Sequence, residues 1–195
     1  MSDVIYLDNN ATSKVDEAVF EAMKPFLTEY YGNPSSMHNF GGQVGKAIRT
    51  AREQVAELLN CSPDEIFFTS CGTESDNTAI YTALETQPQK RHIITSRVEH
   101  PAVRVTCRHY RDSRGYRLTE MPVDAQGRLN LDALDEAVDD ETAIVTIMHA
   151  NNETGTVFPI HDIAEIVKAK GAILHTDAVQ SVGKIPIDLQ ELPVD

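Results

Sequence analysis

Four short segments carry most of the residue types that do chemistry. The stretch AILHTDAVQSVGK (172–184) begins as an apolar run, ends that run on Asp177, and places Gln180 three residues later. A carboxylate at the end of a buried strand is costly unless it meets a cation or several donors; capping the following segment is the simpler alternative. The stretch SCGTESDN (70–77) follows another apolar run and opens a helical pattern, with Gly72 and Thr73 at the turn. Unpaired N–H groups at such a helix start make an anion site suited to phosphate. Thr73 can also cap that helix, with Asp76 completing a capping box, and Glu74 and Asp76 oppose a phosphate unless they point aside. His100 stands just before Pro101, a residue that starts helices. A flat imidazole there could cover a flat ligand or serve the structure alone. Finally HANNETG (149–155), which includes Asn152, holds more hydrogen-bonding groups than an Asn–Gly turn requires.

A ligand with a phosphate, a flat ring and a protonatable nitrogen would use all four segments, and pyridoxal phosphate has those features. The ordinary nucleotide motifs are missing. No G-x-x-x-x-G-K-[ST] occurs, since Gly45-Lys46 is followed by Ala47, and there is no G-x-G-x-x-G.

The elements that must position these residues are legible as alternating patterns. Short β-branched runs at 4–7, 66–69, 92–96, 118–122, 143–148 and 172–176 read as strands. Helical spacing predicts helices over 42–60, 73–84, 101–110, 132–138 and 160–170, and over 16–30 with a kink or break at Pro25. Strands alternating with helices imply an α/β fold with a mostly parallel sheet flanked by helices, whose ligands bind at the carboxyl ends of the strands. The turn-rich stretch 31–41 reads as an irregular loop. No repeat or linker divides the chain, and the final IPIDLQELPVD stops where another strand could begin, so a chain cut partway through a domain is expected.

Composition excludes some functions. The 195 residues include 30 acidic and 17 basic ones, a formal charge of −13 that repels nucleic acid and anionic lipid surfaces. Small molecules and proteins are the expected partners. With no membrane-length apolar run and no signal-peptide pattern at the start, a cytoplasmic location is expected. Cys61, Cys71 and Cys107 are odd in number and lack C-x-x-C spacing, which points to free thiols in a reducing compartment rather than disulfides or a metal site.

Taken together, YLDNNAT (6–12), YGNPSSMH (31–38), TSCGTESDN (69–77), VEHPAV (98–103), MHANNETG (148–155) and HTDAVQSVGKIPID (175–188) resemble the NifS/IscS-type cysteine desulfurases, class V, fold-type I pyridoxal 5'-phosphate enzymes. The motifs run in the family's order along the whole chain. The resemblance implies an incomplete fold-type I large domain over 14–195, with 1–13 belonging to a small domain. It implies that Gly72 and Thr73 bind the cofactor phosphate, that His100 stacks on the ring, and that Asn152 and Gln180 make polar contacts to the cofactor. Asp177 would pair with the protonated ring nitrogen. It further implies L-cysteine as substrate, alanine and an enzyme persulfide as products, a sulfur-acceptor or Fe–S scaffold protein as partner, and a homodimeric parent.

The resemblance places the family's Schiff-base lysine shortly beyond Asp195, and its persulfide cysteine and substrate-binding arginine later still. This chain is therefore expected to be the N-terminal half and inactive alone. Lys184 matches a family position with another role, and Cys71, inside the phosphate motif, is expected to be a compact buried residue. Selenocysteine lyase or an aminotransferase of the same class would share the ring-binding residues. A non-catalytic binding or scaffold fragment is the alternative of a different kind.

Overall fold

The computed structural model describes residues 4–195, which form two compact units divided between Phe67 and Phe68. In the first unit, α1 (Glu17–Thr28) starts where Asp16 accepts the amide of Ala18 at 2.8 Å, and α2 (Asn39–Leu59) ends on left-handed Asn60 with φ 54°. Pro25 does not break α1. It removes one intrahelical donor on an exposed helix, and the chain stays helical to Thr28. The helix α2 begins earlier than the spacing predicts because the Nδ1 of His38 accepts the amide of Gly41 at 3.2 Å and caps the first turn. Gly41 is required there, since a Cβ would lie 2.3 Å from the carbonyl oxygen of Asn33.

The second unit carries the sheet. Its strands β1 (His92–Ser96), β2 (Arg117–Met121), β3 (Thr142–Thr146) and β4 (Ile173–His175) are all parallel, in the order β2-β1-β3-β4. The helices are α3 (Gly72–Thr86), α4 (Pro101–Arg114), α5 (Leu131–Ala137) and α6 (Ile160–Ala169). Side chains alternate across the sheet as the pleat demands. Ile93 and Ile144 pack with Ile80, Leu84, Val103 and Cys107 of α3 and α4, whereas Ile94, Val145 and Leu174 pack with Leu134, Ile163 and Val167 on the α5/α6 side. Burial on both faces explains why these strands read as continuous apolar runs.

At the amino end of the strands, His92 is buried and fully engaged. Its Nδ1 lies 2.9 Å from the hydroxyl of Thr142 and its Nε2 2.8 Å from that of Thr119, tying three strands together. Two expected strands do not form. Residues 4–7 and 66–69 belong to no ladder of the sheet, and Val4, Ile5, Leu7 and Phe67 are each more than 80% exposed. A β-branched or aromatic run becomes a strand only by pairing with a neighbour and packing on a face. Among the described residues no helix is long and apolar enough to cross a membrane.

Candidate functional site

The connections from β1 to β2 and from β3 to β4 step outward in opposite directions, with α4 and α6 on opposite faces. The strand order therefore reverses between β1 and β3, and a crevice opens at their carboxyl ends. Backbone pairing continues past β3 and β4 there, with the amide of His149 donating to the carbonyl of Asp177 at 2.9 Å. The segments after β3 and β4 are thus held side by side.

Glu99 spans the reversal point. Its Oε1 accepts the hydroxyl of Ser96 at 2.6 Å and the amide of Met148 at 3.0 Å, bridging the ends of β1 and β3. The residue is 4% exposed, and burial pushes its carboxyl up to about 7, helped by the nearby charges of Asp177 and Asp76. Nothing in the sequence marks it, because a Glu three residues after an apolar run is ordinarily solvated.

Buried polar atoms are almost always paired, so each exception calls for a reason. Among the described residues the exceptions are Thr95 Oγ1, Glu99 Oε2, His149 Nδ1 and Thr176 Oγ1. Thr95 is the penultimate residue of β1, Glu99 lies three residues past that strand, His149 three past β3, and Thr176 immediately past β4. All four gather at the carboxyl ends, whereas His92 at the amino end is satisfied on both nitrogens. Burial also holds the imidazole of His149 below its ordinary range.

The start of α3 is not capped as the sequence suggests. Cys71 occupies the N-cap without a side-chain cap bond, and Glu74 Oε2 instead folds back to accept the amide of Ser70 at 2.7 Å. A carboxylate four residues on reaches the amide more readily than a Thr73/Asp76 box, so that box does not form. Thr73 is left exposed, its hydroxyl without a hydrogen-bond partner among the described residues. Glu74 is thus tied to Ser70 and Asp76 turns inward, 5% exposed, which answers the expected conflict with an anion at the first turn. Cys71 is exposed rather than buried, and the amide of Glu74 and the hydroxyl of Ser70 hold its thiol below the usual range. Cys107 is the buried one, pushed up to about 12 by burial.

Asp177 is 9% exposed, and its Oδ1 accepts the amide of Val179 at 3.0 Å. It therefore caps the turn that follows, as the simpler reading allowed, yet no ion pair among the described residues includes it. A Cβ on Gly72 would meet Val179 Cγ2 at 3.2 Å, so the α3 start lies against the segment following Asp177. His175, two residues earlier, has Nδ1 2.7 Å from Thr146 Oγ1 and Nε2 3.6 Å from Asp76 Oδ1.

His100 caps α4, its Nδ1 accepting the amide of Ala102 at 3.2 Å, which fixes an exposed ring beside Glu99. Asn152 donates to Glu153 Oε1 at 2.7 Å, while its buried neighbour Asn151 organises the turn by accepting the amides of Glu153 and Thr154. Gln180 Oε1 accepts from Lys184 Nζ at 2.5 Å. Gly72, Asp76, His175 and Asp177 are thereby brought together directly, and His100 and Asn152 stand on the adjoining connections. Chemically the crevice offers open backbone donors and a hydroxyl for an anion, and a buried carboxylate for a cation.

Residues 5–195 match the family described as Aminotransferase class-V. A cysteine desulfurase of Nostoc sp. is 61% identical over 98% of this chain and 48% of its own length, and the cysteine desulfurase NifS of Azotobacter vinelandii is 54% identical over 97% and 47%. Among solved structures, a NifS-like protein superposes with TM-score 0.93 at 47% identity, over 98% of this chain and 53% of that one. The structure titled SspA in complex with cysteine gives TM-score 0.92 at 38% identity, over 97% and 55%. The chain spans about half the length of the curated relatives it matches. With a family match across nearly every residue and the same fold in these relatives, the chain belongs to the class-V aminotransferase family.

Proposed function

We propose that these 195 residues form the cofactor-binding part of a pyridoxal 5'-phosphate-dependent cysteine desulfurase, and that the whole protein converts L-cysteine to L-alanine and passes the sulfur on as an enzyme persulfide. The observation that carries the reading is Asp177, a buried carboxylate with no ion-pair partner among the described residues, at the crevice where the unpaired polar atoms collect. When bound, the cofactor supplies an electron sink for a substrate carbanion. The chain's own residues hold it and set its charge.

The amides at the start of α3 and the Thr73 hydroxyl bind the phosphate, favoured by the helix dipole. Gly72 lets that start lie close to the Asp177 segment, where a larger residue would press on Val179. His100, fixed by its cap bond, covers the ring, and Asn152 and Gln180 supply polar contacts, Gln180 to the ring hydroxyl. Asp177 stabilises a proton on the ring nitrogen. Residues 1–13 belong with a small domain and 14–195 with the large one. The whole protein acts as a homodimer in the cytoplasm and delivers sulfur to an acceptor or Fe–S scaffold protein.

Turnover also requires a Schiff-base lysine and a sulfur-accepting thiol. Lys184, engaged with Gln180, and Cys61, Cys71 and Cys107 do not take those roles, so these residues alone are expected to bind the cofactor without turning over. Equilibrium dialysis of pyridoxal phosphate against the chain tests the reading. A hydrogen bond to a charged group is worth roughly 1.5–3 kcal/mol, so Thr73→Ala should weaken binding about 10- to 100-fold. Asp177→Asn should weaken it and shift the bound cofactor's absorbance. Absent binding, or equal affinity and spectra for the Asp177→Asn variant, would overturn the assignment.

A further inference from the structure

We propose that Asp76 and His175, anchored by Thr146, are a positioning pair beneath Asp177 that carries one proton for the site, leaving Asp177 as the anion that faces a cationic ligand. The inference deepens the cofactor reading above and rests on it for the identity of that ligand.

Three carboxylates converge on the crevice from different elements: Asp76 from α3, Glu99 from the β1–α4 connection and Asp177 from the end of β4. All three are less than 10% exposed, and no Lys or Arg among the described residues pairs with any of them. Like charges in a dry site cannot all be ionised. Among the described residues His175 is the one base in ion-pair range of any of them, and it lies between Thr146 Oγ1 and Asp76 Oδ1.

The contact with Asp76 is not an ion pair. Burial pulls His175 down to about 4, while burial and the charge of Asp177 push Asp76 up to about 7. A neutral imidazole thus faces a carboxyl that titrates near neutrality. The arrangement that uses every group has the Thr146 hydroxyl donating to Nδ1, with the remaining imidazole proton on Nε2 directed at Asp76. The other titratable groups at this end of the sheet include Glu99, itself pushed up to about 7, His149, whose imidazole burial holds below its ordinary range, and Cys107 on α4, a thiol held neutral by burial. Glu99 Oε2 has no partner among the described residues, a second sign that the layer is built to meet something. Among the described residues no group of three or more His, Cys, Asp or Glu is arranged to hold a metal ion.

Imidazole nitrogen resonances of the 195-residue chain, followed from about pH 5 to 9, test the pair. His175 should remain the neutral Nε2–H tautomer and report an inflection near 7 as Asp76 titrates. Asp76→Asn should abolish that inflection, and Asp177→Asn should lower it by about one pH unit by removing a like charge. Unchanged His92 resonances at the opposite end of the sheet show that each variant is folded. Should Asp76→Asn fail that check, His175→Gln with the Asp76 carboxyl carbon as reporter gives the same reading. An inflection that is absent from the unsubstituted chain, or that survives Asp76→Asn, overturns the pair. If the inflection behaves as stated but pyridoxal phosphate does not bind, the cofactor reading falls and the pair stands. Asp177-dependent binding without the inflection gives the converse.

Discussion

Replacing Glu99 with Gln separates its charge from its shape. Glutamine keeps an oxygen for the Ser96 hydroxyl and the Met148 amide, now 2.6 and 3.0 Å from Oε1. It removes only the ionisation. The Glu99 carboxyl moves from 4.5 in the open chain to about 7 in the fold, chiefly through burial. Between those values the native state binds more protons than the unfolded state, so the stability contributed by this group is full below the unfolded value and is lost as pH rises through 7. A rise of that size corresponds to roughly 3 kcal/mol in all, most of which falls between pH 5 and pH 8. His175, held low by burial, works in the opposite direction as pH rises, but it is present in both proteins and cancels in the difference. Urea unfolding of the two proteins across that range should therefore show the unsubstituted chain losing roughly 2–3 kcal/mol more than the variant. Parallel stability curves would refute the placement of Glu99 as a buried, proton-holding bridge.

Other expectations are independent of one another. Gly41→Ala should destabilise the first unit by roughly 1–3 kcal/mol, because the new Cβ meets backbone that cannot yield, whereas exposed Gly42→Ala should be neutral or stabilising by up to about 1 kcal/mol. Amide exchange in the first turn of α2 would resolve the two. Leu174→Ala, at a fully buried position of β4, should cost about 2–5 kcal/mol in urea unfolding. Borohydride reduction in the presence of pyridoxal phosphate should give no preferential adduct on Lys184; a stoichiometric adduct there would return that lysine to the catalytic role denied it.

The fold was legible wherever burial was two-sided. The β1, β3 and β4 runs meet helices on both faces, so their apolar character survives in sequence as uninterrupted blocks, and Pro101 after His100 marks the start of α4. The failures share a cause. Residues 4–7 and 66–69 have strand composition, but a strand is a relation between two segments, and composition cannot report whether the partner is there. Pro25 misleads in the opposite sense, since the rule against proline assumes a helix that needs every donor, and exposed α1 does not.

The site divides along the same line between local and relational information. Asp177 was visible because a charge ending an apolar run is anomalous in one dimension. Glu99 and Asp76 were not, since each sits among polar neighbours and becomes anomalous only when buried in three. The sheet itself supplies the control. At its amino end His92 is as deeply buried as anything in the crevice, yet both its nitrogens are matched by threonine hydroxyls from adjacent strands. Evolution of a closed polar cluster on this sheet is therefore possible, and the unmatched atoms at the carboxyl end do not reflect a general shortage of partners. They sit at the carboxyl ends of the strands, around the point where the strand order reverses. Filling those positions with apolar residues would have been the cheaper solution for stability alone. That polar groups occupy them, beside three buried carboxyl groups with no lysine or arginine paired to them among the described residues, is the physical argument for a ligand that brings the positive charge.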